Sequence, residues 1–231
     1  MKQIYQGAEA VVYEYSMDNT NCIVKDRISK DYRIKEIDVS IRKSRTKRET
    51  KILKKLEEIG VRVPKLLNVK DDGFAIVMEK IEGIRLKDLM MTADFGENNK
   101  ETKKDCQKFD SKRLDYKKYF RDLGSIVAKM HCNGIIHSDL TTSNILVDNS
   151  ERLVIIDFGL SFFSQKIEDM AVDIHLVKET LRSTHPDIYE ISFKEFLRGY
   201  NFSLSEQVIK RLEIVESRGR YKKAKSSRCK K

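Results

Sequence analysis

The sequence predicts an α+β protein built as two unequal lobes, a small β-rich one followed by a larger, mostly helical one. Three observations carry that expectation. Short β-prone runs crowd the first third of the chain, among them Ala10-Val11-Val12-Tyr13 and Cys22-Ile23-Val24. Helical periodicity takes over in the second half, where Tyr116, Phe120, Leu123, Val127 and Met130 mark one apolar face. A length of 231 residues with 40% apolar content suits one compact domain of two lobes around a shared core and argues against a wholly disordered chain.

The elements between these landmarks follow from local pattern. A helix is expected from about Lys43 to Gly60, with Ile52, Leu56 and Ile59 on one face and Gly60 as a stop. Leu66–Val69 and Phe74–Met78 read as a hairpin turning at Asp71-Asp72-Gly73. A short helix is expected to begin near Leu86. In residues 92–114, 11 of the 23 positions are charged, so this stretch is expected to be an exposed, disordered insertion. Beyond the amphipathic helix come two short strands, Ile145-Leu146-Val147 and Leu153-Val154-Ile155-Ile156. Helical patterns then cover roughly 168–182, 190–199 and 205–216. The expected organisation is one domain over 1–217, its N-lobe about 1–80 and its C-lobe about 81–217, with a basic tail at 218–231.

Charge narrows the function classes. The net charge is +10, but it is not spread evenly. Residues 218–231 hold eight Lys or Arg and no acid, and residues 25–55 hold 13 basic against five acidic residues. Those two segments carry +8 each and leave −6 on the remainder, and without 218–231 the net falls to +2. Eight clustered cations suit a solvated tail, a nucleic-acid phosphate contact or a docking contact on another protein. No apolar run approaches the roughly 18 residues that span a bilayer, so no membrane partner is expected. Cys22, Cys106, Cys132 and Cys229 are scattered, which supports neither a zinc site nor a disulfide framework and makes reduced thiols the default. The N-terminus has no signal-peptide core. The expected compartment is the cytoplasm, with nuclear import through Lys222-Lys223 and Lys230-Lys231 as a second expectation.

The densest chemical signal is His137-Ser138-Asp139-Leu140-Thr141-Thr142-Ser143-Asn144, followed by Asp157-Phe158-Gly159. Phosphoryl transfer from ATP needs a carboxylate that orients a hydroxyl and takes its proton, and oxygen ligands for Mg²⁺ on the phosphates. Asp139 suits the first task. Asn144, five residues on, and Asp157, eighteen residues on, suit the second, and the two strands between them form a hairpin that joins both ends. Either motif alone reads as a polar turn; the two in this order do not.

At these residues the chain resembles the protein-kinase superfamily, which implies a bilobal protein-kinase-like fold with a small β-rich N-lobe and a reduced helical C-lobe. The resemblance implies that Lys25, at a strand end, holds the α- and β-phosphates and that Glu49, in Arg45-Thr46-Lys47-Arg48-Glu49, orients it. It implies nucleotide contacts from Gly7, Ala8, Glu9, Ala10 and Val12, and hinge contacts to adenine from Glu79 and Ile81 in Met78-Glu79-Lys80-Ile81-Glu82-Gly83. ATP and Mg²⁺ are the implied ligands. Two features depart from most protein kinases. The glycine-rich loop is reduced to Gly7-Ala8-Glu9-Ala10, with fewer backbone N–H groups able to approach phosphate closely. Ser138 stands where most carry an arginine, and the stretch from Phe158 to Glu168 is short, with no Ala-Pro-Glu, so neither control by loop phosphorylation nor a platform for protein substrates is expected.

These departures are similar to those of the BUD-type atypical Ser/Thr kinase of the KEOPS/EKC complex, the p53-related protein kinase family. Further matching runs are Asp157-Phe158-Gly159-Leu160-Ser161, Glu168-Asp169-Met170-Ala171-Val172-Asp173, Ser183-Thr184-His185-Pro186 and Arg218-Gly219-Arg220. In that family His-Gly-Asp is usual where this chain has His137-Ser138-Asp139. The resemblance implies an ATP-using kinase or ATPase subunit that supports threonylcarbamoyladenosine formation at position 37 of tRNA. It also implies binding to the catalytic threonylcarbamoyl-transferase subunit and other KEOPS/EKC subunits. Two alternatives stay open: a scaffold or nucleotide-sensing subunit with incidental phosphotransfer, and a RIO-like or small-molecule kinase. His137 is expected to brace the catalytic loop, and Asp173 and Glu168 to stabilise the lower lobe.

Overall fold

A computed structural model describes residues 1–17, 20–94 and 115–228; side chains at 17, 20, 92–94 and 219–228 are left aside. The N-lobe is a five-stranded antiparallel sheet of β1 (Lys2–Gln6), β2 (Ala10–Met17), β3 (Thr20–Arg27), β4 (Leu66–Val69) and β5 (Ala75–Glu79), in the order β1-β2-β3-β5-β4. Register places Val12 opposite Lys25 and Ala10 opposite Arg27. Helix α1 (Lys35–Glu58) crosses beside the sheet and starts eight residues earlier than its apolar pattern predicts. The reason lies in what those eight residues bury: Asp38 alone, paired with Arg42 at 2.7 Å, so an ion pair rather than hydrocarbon faces inward there.

Past the hinge come β6 (Gly83–Arg85) and α2 (Leu86–Asp94). The predicted insertion 92–114 begins within α2, and 95–114 lie outside the described residues. The C-lobe then builds α3 (Tyr116–Cys132), β7 (Ile135–Ile136), β8 (Ile145–Asp148), β9 (Leu153–Ile155), β10 (Phe162–Phe163), α4 (Ile167–Thr184), α5 (Tyr189–Gly199) and α6 (Ser205–Arg228). A short 3₁₀ turn covers Thr142–Asn144, just before β8. Strands β6, β8 and β9 form one small sheet, and β7 pairs with β10.

The shared core joins Ile52, Leu53 and Leu56 of α1 to the C-lobe helices, with Phe120, Leu123 and Met130 fully buried. Helices α3 and α5 cross at backbone contact, because Gly124 and Gly199 face each other's partner helix. A Cβ on Gly124 would lie 2.0 Å from the Phe196 carbonyl oxygen, and one on Gly199 1.9 Å from that of Arg121. Helix α6 runs to Arg228, twelve residues past the predicted end at 216. Lys and Arg are good helix formers, and no proline interrupts the segment. Its Arg211 and Arg218 (2.8 Å) both grip Glu168 in the first turn of α4. Among the described residues no helix is long and apolar enough to cross a membrane.

Candidate phosphotransfer site

The roof of the cleft comes from β3 and α1. Lys25 Nζ lies 2.7 Å from Glu49 Oε1 and 2.6 Å from Asp157 Oδ1, so the three residues that the resemblance singles out, far apart in sequence, meet at one ammonium. Burial works against the charge of Lys25, yet Glu49 and Asp157 outweigh it and hold the pKa above the ordinary lysine value. Burial likewise raises Asp157, but the Lys25 charge and the Gly159 N–H win and keep its carboxyl below the usual range. Asp157 has φ 62°, a left-handed conformation that costs a non-glycine residue about 1–2 kcal/mol. Asp157 lies two residues beyond β9, and from there its carboxylate meets Lys25.

The floor is the loop from His137 to Asn144. Asn144 Nδ2 donates to the Asp139 backbone oxygen at 2.9 Å and to Asp139 Oδ2 at 3.0 Å. With its N–H groups spent on Asp139, the carbonyl oxygen of Asn144 is the part left to act as a ligand. Asp139 is half-buried, which leaves its carboxylate reachable from the cleft. His137 braces the loop as expected. Its Nε2 lies 3.2 Å from the Ile156 carbonyl oxygen, and its Nδ1 accepts from the Asp139 N–H at 3.3 Å. Those partners place the hydrogen on Nε2.

Beneath the loop, Asp173 of α4 is fully buried and saturated. It accepts the His137 N–H at 2.7 Å, the Ser138 N–H at 2.8 Å and His131 Nε2 at 3.2 Å. Tyr200, whose phenol burial and Asp173 push far above its ordinary pKa, donates to His131 Nδ1 at 2.7 Å. Ser138 has φ 68°, so its position is a left-handed one that glycine fills without strain. This explains the His-Gly-Asp pattern in backbone terms. What the loop takes from position 138 is a backbone N–H aimed at Asp173.

The remaining predicted contacts divide. Val12 sits across from Lys25 and shares its face of the sheet. Gly7 N–H bonds to the Ala10 carbonyl at 2.9 Å, closing the turn that replaces a glycine-rich loop. Ala8 lies in that turn. Glu9 turns away to helix α1, with Oε1 3.0 Å from Arg33 and Oε2 2.7 Å from Arg45. Glu79 gives its carboxylate to Arg62 through two bonds of 2.7 and 2.6 Å, and its N–H to the Lys65 carbonyl. Its side chain therefore braces the hinge from behind. Ile81 lies half-exposed in the turn between β5 and β6. Sequence reasoning missed Arg27, whose Nη2 pairs with Glu49 Oε2, although its spacing of two from Lys25 on a strand places both on one face.

Asp157 and Asn144 offer two oxygen ligands, and no group of three His, Cys, Asp or Glu able to hold a metal occurs among the described residues. Two protein oxygens completed by phosphate and water suit Mg²⁺, which seldom takes an all-protein cage.

Comparison with known proteins bears on the fold and the family. Residues 1–183 match the protein kinase domain family. The KEOPS complex subunit Bud32 of Pyrococcus abyssi is 40% identical over 96% of this chain and 97% of its own length. The chain belongs to the Bud32 family of protein kinases. A second relative, a probable bifunctional tRNA threonylcarbamoyladenosine biosynthesis protein of Methanothermobacter thermautotrophicus, is 37% identical over 94% of this chain, in a match spanning 36% of that longer protein. The Rio2 kinase of Chaetomium thermophilum, solved as an ADP/Mg²⁺-phosphoaspartate complex, has a TM-score of 0.59 at 16% identity, covering 95% of this chain and 70% of its own. That likeness shows the kinase fold.

Proposed function

We propose that the chain binds ATP with Mg²⁺ in this cleft and acts as the kinase or ATPase subunit of a KEOPS-type complex that forms threonylcarbamoyladenosine on tRNA. The observation that carries the reading is the pairing of Asp139 with Asn144 on the floor below a Lys25–Glu49–Asp157 roof. Lys25 would trade its bond to Asp157 for the α- and β-phosphates, while Glu49 keeps the ammonium aimed. Asn144 and Asp157 would hold Mg²⁺, which supplies charge neutralisation on the phosphates. Asp139 orients an attacking hydroxyl, from a Ser/Thr side chain or from water, and takes its proton as the new O–P bond forms and the β–γ bridge breaks.

The names of the relatives support membership of a KEOPS-type complex. The tail 218–231 is proposed to meet tRNA phosphates or the transferase subunit through the seven cations that follow Arg218, in a cytoplasmic or nuclear setting. The test is turnover of Mg-ATP by the purified chain, followed by tRNA modification in a reconstituted complex. Full turnover retained in both Asp139→Asn and Asp157→Asn overturns the assignment.

A second reading, a nucleotide-sensing scaffold, is favoured by one observation: the turn at Gly7–Ala10 offers phosphates a single glycine, and its Glu9 is committed to Arg33 and Arg45. Unimpaired tRNA modification by Lys25→Ala selects that reading, and loss of modification selects ATP use.

A further inference from the structure

The roof holds a second cation that phosphate binding through Lys25 leaves unexplained. Arg27 follows Lys25 by two residues on β3, so both side chains leave the same face of the strand. It pairs in register with Ala10, at the end of the one-glycine turn. Arg27 is 4% exposed. Its Nη2 takes Glu49 Oε2 while Lys25 takes Oε1, and its Nε has no hydrogen-bond partner among the described residues. A Cβ built on Gly159 would lie 3.1 Å from Lys25 Nζ and 3.6 Å from Arg27 Nη2, so both cations border the Asp157-Phe158-Gly159 turn.

We infer that Arg27 is a positioning residue for nucleotide: by occupying one oxygen of Glu49 it holds Lys25 to the other oxygen and leaves the ammonium free to serve phosphate. The inference rests on the ATP-binding reading above and deepens it.

Two physical arguments support it. The first is charge. Lys25 and Arg27 balance Glu49 and Asp157 in the structure described. Once Asp157 turns to a metal ion, the remaining trio carries +1 toward the phosphates; without Arg27 it carries zero. A loop with one glycine supplies few backbone N–H groups, so that charge matters more here. The second is satisfaction of buried groups. Glu49 is 2% exposed, and an unpaired buried carboxylate oxygen is costly. Deprived of Arg27, Glu49 regains a partner by turning both oxygens on Lys25 or by leaving the roof. Either movement takes the ammonium off the phosphate position.

The test uses the full chain, ATP titrated by calorimetry with and without Mg²⁺, steady-state turnover, and melting temperature as the fold control. Arg27→Met is expected to weaken ATP binding and raise KM about tenfold, with kcat changed less than about threefold. Arg27→Lys keeps the charge and is expected to recover most of the affinity; Arg27→Gln replaces the Met variant if the latter does not fold. Because Arg27 acts through Glu49, Arg27→Met is expected to add less than about twofold in a Glu49→Gln background. Unchanged affinity in a folded Arg27→Met, or additive effects in the double variant, overturns the inference while wild-type ATP binding stands. Wild-type protein that binds no ATP overturns the phosphate-site reading and this inference together.

Discussion

Two ionic networks close on the cleft from opposite sides, and they differ in what they leave open. The roof joins Lys25, Arg27, Glu49 and Asp157, and one of its bonds, Lys25 to Asp157, ends on a carboxylate that is half exposed. The support beneath the floor loop joins Asp173, His131, Tyr200 and the N–H groups of His137 and Ser138, and every one of these groups has its partner within the network. A network that exchanges partners with a ligand needs a solvent-facing bond to give up. A network that fixes a loop needs every partner filled, since a half-satisfied buried polar group costs more than it gives. The same few residue types thus serve a movable task above and a rigid one below.

The largest expected effect separates chemistry from support on the floor. Asp139→Asn should lower Mg-ATP turnover by roughly 10²- to 10⁴-fold, with the urea midpoint unchanged, because the loop stays held by Asp173. Asp173→Asn should do the reverse in kind. Removing the charge that three buried donors share should cost about 3 to 5 kcal/mol in urea unfolding, and activity should fall through loss of folded protein. If Asp173→Asn leaves stability intact, the floor is not the saturated support described.

Acid should sharpen the contrast on the roof. The pKa of Asp157 is depressed, so the stability its pair with Lys25 contributes is fully present above about pH 4 and is lost as pH falls through the lowered value. Melting temperatures of wild type and Asp157→Asn should therefore differ at neutral pH and converge in strong acid. Melting curves that fail to draw together as the pH falls would contradict the pairing. The smallest effect belongs to Ser138→Gly. Relief of a left-handed φ of 68° is partly offset by glycine's greater unfolded entropy, so a gain below about 1 kcal/mol is expected in chemical denaturation.

How much of this the sequence disclosed depends on what each element buries. Helix α3 was legible because its inner face is hydrocarbon, from Tyr119 and Phe120 to Met130. The first eight residues of α1 were not, since Asp38 is the one buried side chain among them and gives no apolar rhythm. Strand β1 is exposed along its whole length and shows no alternation of burial, and β7 and β10, two residues each, exist only through each other. Within the site, residues bound by local spacing could be read: Asp139 with Asn144, and Asp157 after its hairpin. Partnerships set by tertiary approach could not. Arg62 with Glu79, and Glu9 with Arg33 and Arg45, carry no sequence signature, because nothing local dictates which surface charge a long side chain will meet.

Glu168 gives the terminal helix a mechanical address. It sits in the first turn of α4, directly after the segment that leaves Asp157, and it is the point where Arg211 and Arg218 are fastened. A force applied to the cationic end of α6 is therefore delivered to α4, at Glu168 and again at the 2.6 Å Lys178–Glu216 pair, close to the segment that leaves Asp157.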